Sequence, residues 1–335
     1  MYNKQRGGRK GVLMIPNSKN FCGGAFHDWL EVNLISQCNA HCSWCIERDG
    51  YHPTEKAEWW IIAEQALKHG AQNIILLGGE PTLYREIKPM ISVLSAAGRD
   101  VWITTNGSLL TPDFVENKIA GIKGINISVH HYDLMKNKEI TGLMINENNL
   151  SDAVVELHRV GAVVRMNCNC IMGAIDSVSE IFAYIEFAKI IGADKIRFAE
   201  LKQDDDGFVD LAKVLNYKYG LNDNPFMMGC NSDSVINGMP VNFRQMCGLQ
   251  TTRRIAPEDP EQVLKKVLYY DGKIYNGWQT AKKEEIVTNK ELVKLLEDVA
   301  NGEKSPIEAA LLLGKDMGKV KEIIKYESSG GGCQY

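Results

Sequence analysis

The chain has 335 residues, of which 44% are hydrophobic and 24% are charged, a composition typical of a globular protein with one large or two small domains. It has no apolar run of about 18 residues, and the apolar stretch after its first basic residues is too short for a signal peptide. Its formal net charge of −4 provides no general attraction to nucleic acid. We therefore expect a cytoplasmic protein that has neither a membrane nor nucleic acid among its partners.

Short apolar runs alternate with amphipathic segments in the first two thirds of the chain. Apolar residues recur at helical spacing between these runs, as at Ile87, Met90, Ile91 and Leu94. The runs themselves are typical of strands: Leu30–Ser36, Gln72–Leu77, Asp100–Thr105, Gly124–His130, Val163–Ile171 and Lys195–Leu201. This alternation predicts right-handed βαβ units and a parallel sheet, either open or curled towards a barrel.

The pattern changes in the last third of the chain. Val241–Cys247 and Lys266–Trp278 are typical of strands, and an Asp271-Gly272 turn predicts that the second run is a hairpin. Two helical segments and a tail, SSGGGCQY, follow. We expect three regions: an N-terminal segment (1–27), a barrel-like domain (28–207) and a capping region with a flexible tail (208–335).

Three distinctive loops follow the first three predicted strands. CNAHCSWC (Cys38–Cys45) follows the first strand, GGEPTL (Gly78–Leu83) follows the second, and TTNG (Thr104–Gly107) ends the third. The carboxyl ends of parallel strands lie at one edge of a sheet, and that edge is where such folds build their active sites. We therefore expect the three loops to meet there.

Cys38, Cys42 and Cys45 form the one tight cluster among the nine cysteines. In a reducing compartment, clustered thiols more often bind metal than form disulfides. Structural zinc takes four protein ligands, usually in two paired half-sites, and the chain has no second CxxC. Three thiolates on a 4Fe-4S cluster leave one iron open for an exchangeable ligand, which is typical of a catalytic centre.

These motifs resemble those of radical S-adenosylmethionine (SAM) enzymes, whose CxxxCxxC carries an aromatic residue before the last cysteine, here Trp44. GGEPTL resembles the stretch with which that family holds the methionine amino group, and TTNG and Ile125–Asp133 resemble its later strand-end motifs. The resemblance implies a partial (β/α)6 TIM-like barrel with a C-terminal α+β extension. It also implies a 4Fe-4S cluster and SAM as cofactors, and an electron donor such as flavodoxin or ferredoxin. Reductive cleavage of SAM would yield a 5′-deoxyadenosyl radical that takes a hydrogen atom from the substrate.

The more detailed resemblance is to the branch that contains the GTP 3′,8-cyclase of molybdopterin synthesis. Val164–Ile181 aligns with it without gaps and places Arg165 and Asn167 where that branch points a lysine and an asparagine into the barrel. Glu31 and Ile75 stand where that branch has arginines, so we expect GTP not to be the substrate. The pattern of that branch's second cluster is missing, which favours one cluster. The alternative is a second site from Cys230, Cys247 and Cys333.

The resemblance and the alternation of side chains along strands together predict the site residues. Arg165, Asn167 and Asn169 share one face of their strand, and Cys168 and Cys170 share the other, where we expect them to be structural. The cluster ligands are Cys38, Cys42 and Cys45, and the SAM pocket is formed by Trp44, Gly78, Gly79, Glu80, Ser128 and Lys202. The catalytic candidates are Glu31, Arg165 and Asn167, and the substrate contacts are Asn33, Thr104, Asn126 and Asn169.

The sequence leaves two interpretations for each of four features. His130 either orients substrate or is a satisfied core histidine. Lys202 either contacts the cofactor or is a solvated lysine at the rim. The tail either lies over the barrel mouth or is a frayed end. One aromatic cluster is either hairpin core or a stacking platform: Tyr269, Tyr270, Tyr275 and Trp278.

Three hypotheses for the function follow. The first is modification of a ribosomally synthesised peptide, which a partner protein would deliver because the sequence has no obvious leader-binding domain. The second is modification or rearrangement of a nucleoside or another small polar metabolite, which suits a pocket lined by asparagines. The third is a non-catalytic iron–sulfur or zinc module, which would not need the GGEPTL and TTNG stretches.

Overall fold

A computed structural model of the chain describes residues 13–14, 28–48, 50–201, 206–219, 231–244 and 266–279. Several sequence predictions lie outside the described residues: Lys202, Cys230, Cys247, Cys333, the two helical segments after the hairpin, and the tail. The three-region division of the chain also stays a prediction.

The described elements alternate between strands and helices through most of the chain. The strands are β1 (Leu13–Met14), β2 (Trp29–Asn33), β3 (Asn73–Leu77), β4 (Asp100–Thr105), β5 (Gly124–Ser128), β6 (Val163–Cys170), β7 (Lys195–Glu200), β8 (Asn231–Ile236), β9 (Met239–Arg244), β10 (Lys266–Leu268) and β11 (Ile274–Asn276). The helices are α1 (Trp59–His69), α2 (Ile87–Ala96), α3 (Pro112–Phe114, continued by a π-helical turn, Val115–Ile119), α4 (Leu134–Thr141), α5 (Glu147–Arg159), α6 (Val178–Ile191) and α7 (Leu211–Tyr219). Among the described residues, no helix has the length and apolar character needed to cross a bilayer.

All described strands belong to one sheet, in the order β1-β8-β9-β7-β6-β5-β4-β3-β2-β10-β11. Strands β2 to β7 lie side by side in chain order, and each neighbouring pair is parallel. The sheet is open, with β9 added in parallel beside β7 and β10 in parallel beside β2. The predicted α/β fold with a partial barrel is confirmed, and strands from the last third of the chain extend it at both edges.

The outer face of the sheet packs under the helices, as the period-two alternation predicts. In β6, Val164, Met166, Cys168 and Cys170 are buried, whereas the residues between them are half-buried on the inner face. Helix α6 buries apolar residues against the outer face, together with Tyr184, whose hydroxyl donates to the carbonyl oxygen of Val129 at 2.7 Å. Cys168 and Cys170 are therefore core residues.

Two hairpins complete the sheet edges. Gly272 has φ +78°, and the predicted Asp271-Gly272 turn joins β10 to β11. Strand β8 was not predicted, because its sequence, NSDSVI, is largely polar. The Asn237-Gly238 pair that follows it has positive φ at both residues, a dipeptide that strongly favours a hairpin. That pair was the available signal for β8.

Candidate active site

The three predicted cluster ligands lie on the loop that leaves β2, and all three thiols are free and partly exposed. The amide of Ala40 donates to Cys38 Sγ at 3.3 Å, and the amide of Cys45 donates to the carbonyl oxygen of Cys42 at 3.2 Å. Burial raises the pKa of Cys38, and burial and the neighbouring thiols raise the pKa of Cys42 to about 12. Thiolates here need a cationic partner, which an iron cluster provides.

The donor set on this loop is three cysteine thiols. A 4Fe-4S cube binds cysteine thiolates, each on a different iron atom. The cysteine loop thus carries the donor chemistry that suits such a cluster. Within the part of the chain that the structure describes, no group of three His, Cys, Asp or Glu side chains is arranged to hold a single metal ion.

Gly78 and Gly79 pack directly against the backbone of the loop that leaves β2 and carries the cysteines. The amide of Gly79 donates to the carbonyl oxygen of Ile35 at 2.6 Å, and the amide of Glu80 donates to that of Gln37 at 2.9 Å. Gly78 has φ +139°, a conformation that side chains rarely allow. These glycines let two backbone segments approach so closely that the cysteine loop extends the pairing of β2 with β3.

Replacing Gly79 with alanine should displace the cysteine loop. The added Cβ would lie 2.5 Å from the carbonyl oxygen of Ser36 and closer still to that of Gln37. Because both atoms are backbone, we expect a loss of about 3 kcal/mol in the free energy of unfolding and weaker cluster binding. Gly70→Ala is the control, since it has a positive φ but no atom within 4 Å of the new Cβ, and should cost about 1 kcal/mol. Equal losses in the free energy of unfolding for Gly79→Ala and Gly70→Ala, measured by denaturant titration, would contradict this account.

Glu80 ties the three loops together. Its side chain is buried, and Oε1 accepts from the amide of Thr82 at 3.0 Å and from Thr105 Oγ1 at 2.6 Å. Its Oε2 accepts from the amide of Asn106 at 2.8 Å, and Asn106 Nδ2 donates to Asn39 Oδ1 in the cysteine loop at 2.8 Å. Predicted as a SAM contact, Glu80 is placed by the structure as an internal brace for GGEPTL, TTNG and the cysteine loop.

His130 connects the cysteine loop to the inner strands. Trp44 meets its ring edge to face, with ring centroids 5.3 Å apart. The amide of Asn169 donates to His130 Nδ1 at 3.1 Å, so in the neutral ring the proton is on Nε2. The predicted residues Trp44 and Asn169 therefore meet through His130, which is a buried and hydrogen-bonded histidine.

The His130 contacts predict a loss of stability in acid. Burial lowers the pKa of His130 from 6.5 to about 4, so the unfolded chain binds the proton more readily. The stability gained from the neutral ring is complete above pH 6.5 and is lost as the pH falls towards 4, by about 3 kcal/mol. Urea titrations at several pH values should show this slope in the wild type and less of it in His130→Gln. An identical slope in both proteins would refute the assignment.

Asn33 and Thr104 belong to the same inner surface but have different surroundings. Asn33 is fully buried at the end of β2 and donates from Nδ2 to Glu47 Oε2 at 3.0 Å. Burial raises the pKa of Glu47, while this bond and His52, with Nδ1 3.5 Å from Glu47 Oε1, lower it. Thr104 lies opposite Asn126 in the sheet and accepts a hydrogen bond from its Nδ2 at 3.0 Å. Asn33 thus links β2 to the segment after the cysteine loop, and Thr104 and Asn126 hydrogen-bond each other on the inner face of the sheet.

Asn167 bridges two other predicted site residues. It lies opposite Ser128 in the register of β5 and β6. Its Oδ1 accepts a hydrogen bond from Arg165 Nε at 3.0 Å. The structure therefore brings Ser128, Asn167 and Arg165 together on the inner face.

Three arginines on adjacent strands share this inner face. Arg165 is on β6, Arg197 on β7 and Arg244 on β9, and burial lowers the pKa of each, to about 10 for Arg165. The neighbouring guanidinium groups lower the pKa of Arg197 further, against the opposite effects of Asp233 and Glu31. We call Arg165, Arg197 and Arg244 the arginine trio. Among the described residues, no carboxylate lies within ion-pair distance of Arg165 or Arg197.

The sequence prediction missed two members of the trio. Arg197 Nε donates to Asn242 Oδ1 at 2.9 Å, and Asn242 Nδ2 donates to Asp233 Oδ1 at 2.8 Å, so β8 and β9 orient this arginine. Alternation within Val241–Cys247 would have placed Asn242 and Arg244 on one face, but the partner strand was unknown. Glu31 and Ile75 stand where the cyclase branch has arginines, and the structure places cations on the same inner face from other strands.

Glu31 lies on the inner face of β2 and accepts a hydrogen bond from Trp278 Nε1 at 2.6 Å. Its charge also opposes the lowering of the pKa of Arg244. The aromatic cluster of the second hairpin is therefore bonded to the inner face of β2 through Trp278, and Tyr269 within it is fully buried.

Comparisons with known proteins agree with this geometry. A model of the Radical SAM superfamily matches residues 32–198. A probable GTP 3′,8-cyclase of Sulfolobus acidocaldarius is 31% identical over 176 residues, which are 51% of this chain and 55% of that protein. The GTP 3′,8-cyclase of Aquifex aeolicus is 27% identical over 255 residues, 72% of this chain and 71% of that protein. The chain thus spans little more than half the length of the archaeal relative.

Solved structures share the fold. Streptococcus suis SuiB bound to S-adenosylmethionine has a TM-score of 0.53 and 19% identity, covering 79% of this chain and 65% of that chain. Native anSMEcpe with bound AdoMet and Cp18Cys peptide has a TM-score of 0.50 and 14% identity, covering 78% of this chain and 79% of that chain. At such identities, the likeness is one of fold.

Proposed function

From the premise that this chain belongs to the radical SAM superfamily of enzymes, we propose that it generates a radical from SAM and abstracts a hydrogen atom from an anionic substrate. Cys38, Cys42 and Cys45 would hold one 4Fe-4S cluster, whose open iron would bind SAM. When bound, the reduced cluster supplies the electron that cleaves the sulfonium of SAM.

The chain's own residues position these reactants. Gly78 and Gly79 hold the cysteine loop against β3, and Glu80 braces it from below through Asn106. Trp44 and Ser128 would complete the SAM pocket. Protein groups of this kind orient the cofactors and exclude water, which limits side reactions of the radical.

The arginine trio is the observation that supports an anionic substrate. Desolvation disfavours each of these half-buried charges, and Arg165 and Arg197 are further disfavoured by neighbouring guanidinium groups. A carboxylate or phosphate placed between them would offset both costs, since guanidinium groups bind such anions in two-point contacts. Asn126, Asn167 and Asn169 would hydrogen-bond the remainder of the substrate.

A peptide that bears an acidic side chain or a free carboxylate is our first candidate substrate. SuiB, which shares the fold, has also been solved with its precursor peptide SuiA. A partner protein would deliver such a peptide, and a flavodoxin or ferredoxin would supply the electron.

A phosphorylated nucleoside is the second candidate, favoured by two observations. The curated relatives are GTP 3′,8-cyclases, and the arginine trio supplies cations that Glu31 and Ile75 do not. Glu31 would then lie beside the nucleoside without repelling it, or would form a hydrogen bond with part of it.

One set of anaerobic assays tests the proposal. Enzyme reconstituted with iron and sulfide should be brown and should form 5′-deoxyadenosine from SAM and a reductant. Acidic peptides, matched amide peptides and nucleoside triphosphates are then compared for faster 5′-deoxyadenosine formation and for transfer of deuterium from the substrate. Stimulation by neutral and anionic compounds alike would refute the anionic substrate, and absence of SAM cleavage would favour a non-catalytic metal-binding module.

A further inference from the structure

A row of aromatic rings leads from the pocket wall to the outside of the hairpin of β10 and β11. The ring centroids of Trp278 and Tyr269 are 5.9 Å apart, and those of Tyr269 and Tyr275 are 5.3 Å apart. Tyr51 touches both tyrosines, at 5.7 and 5.6 Å. We call these four residues the aromatic row. Rings in direct contact provide short steps for the transfer of single electrons.

Each end of the aromatic row donates a hydrogen bond to a carboxylate. Trp278 Nε1 donates to Glu31 Oε2 at 2.6 Å, and Glu31 lies on the inner face of the sheet. Tyr275 donates from its hydroxyl to Asp271 Oδ2 at 2.8 Å. An indole or phenol becomes a strong acid when it loses an electron, so each carboxylate is placed to accept the proton that is then released.

The middle of the row is shielded and its phenols stay protonated. Tyr269 is fully buried, and its hydroxyl oxygen accepts from the amide of Gln279 at 2.7 Å. Burial raises the pKa of Tyr269 and of Tyr275 well above the ordinary value of 10.0. Tyr275 is partly exposed, so the row begins at the pocket and ends where solutes can reach it.

We propose that the aromatic row is a one-electron relay that repairs carbon radicals formed in the pocket when no substrate hydrogen is available. This inference rests on the proposed function, since that chemistry produces the radical. The row would deliver the equivalent of one hydrogen atom to the radical. The missing electron would then move outward along the row, from Trp278 to Tyr275. Such a relay prevents the radical from attacking the pocket.

The electrons and protons of the relay balance. Trp278 gives one electron to the carbon radical, and its Nε1 proton passes through Glu31 to the same carbon, forming a C–H bond. Tyr275 then returns an electron to Trp278 through Tyr269, and Glu31, protonated again from solvent, returns the proton to Nε1, so the proton used in the new C–H bond comes from solvent. The phenol proton of Tyr275 passes to Asp271. A one-electron reductant in solution, of the class that reduces the cluster, restores Tyr275 with that proton.

The test uses reconstituted enzyme turning over SAM with dithionite and no substrate. The variants are Trp278→Phe and Tyr275→Phe, and the matched control is Tyr270→Phe, a neighbour whose ring is not among the aromatic contacts of the described residues. The measurements are 5′-deoxyadenosine formed per enzyme before inactivation, covalent damage by mass spectrometry, and freeze-quench EPR with ring-deuterated tyrosine. Melting temperatures and iron content verify that each variant is folded and loaded.

The wild type and Tyr270→Phe should sustain severalfold more turnovers than the two row variants, which should accumulate damage at pocket residues. A tyrosyl EPR signal that narrows on deuteration should appear in the wild type and be lost in Tyr275→Phe. If both row variants cleave SAM normally and show the same inactivation and EPR signal as the wild type, the relay is refuted and the proposed function is not. A loaded wild type that makes no 5′-deoxyadenosine would overturn the proposed function and the relay with it.

Discussion

Cys42→Ala should abolish 5′-deoxyadenosine formation and leave the reconstituted protein without its brown colour. Cys42 is the central one of the three cysteines, and burial together with the thiols on both sides raises its pKa. With one thiolate missing, a cube would keep two protein ligands and two open irons, so both the cluster and the geometry for SAM binding should be lost. The measurements are iron and sulfide content, the visible spectrum and 5′-deoxyadenosine by chromatography.

Cys170→Ala is the matched control for this experiment. Cys170 is fully buried on the outer face of β6, where it packs as a small apolar side chain. Its replacement should lower the free energy of unfolding by about 1 kcal/mol and leave cluster content and SAM cleavage unchanged. Full activity in Cys42→Ala, or equal losses in both variants, would refute the cysteine loop as the cluster site.

Arg197→Met should raise the KM for the anionic substrate by roughly 10- to 100-fold, the cost of about 1.5–3 kcal/mol for one lost hydrogen-bonded charge. The same change should not lower the melting temperature of the substrate-free protein. The reason is that the buried guanidinium of Arg197 is disfavoured by Arg165 and Arg244, so a thioether of similar length relieves repulsion and desolvation. KM and melting temperature should thus change independently.

Arg159→Met serves as the control because Arg159 is exposed and pairs with Glu156 and Glu116 on the helical side. Surface ion pairs contribute about 0–1 kcal/mol, so this variant should keep the wild-type KM. If Arg197→Met binds substrate as the wild type does, the arginine trio is not the substrate anchor. If it melts well below the wild type, the trio is stabilised by contacts within the chain.

Local patterns in the sequence were sufficient for the central fold and the cysteine loop. Six apolar runs with helical segments between them predicted β2 to β7 within a few residues. The reason is that the alternation of buried and exposed positions is a pattern of residues that are adjacent in the sequence. Asp271-Gly272 predicted a hairpin for the same reason, since a turn depends on its own backbone angles. The spacing of Cys38, Cys42 and Cys45 placed the candidate cluster site on one loop.

The pairing of distant strands determined the rest of the site. Arg244 reaches the pocket because β9 pairs with β7, more than 40 residues away in sequence, and Trp278 reaches Glu31 because β10 pairs with β2. Glu80 could be assigned to the SAM pocket from its motif, but its bonds to Thr105 and Asn106 exist only once two loops are brought together. Sequence periodicity tells which face of a strand a side chain occupies. It does not tell which strand lies beside it, because that choice is made by packing and hydrogen bonding across the whole sheet.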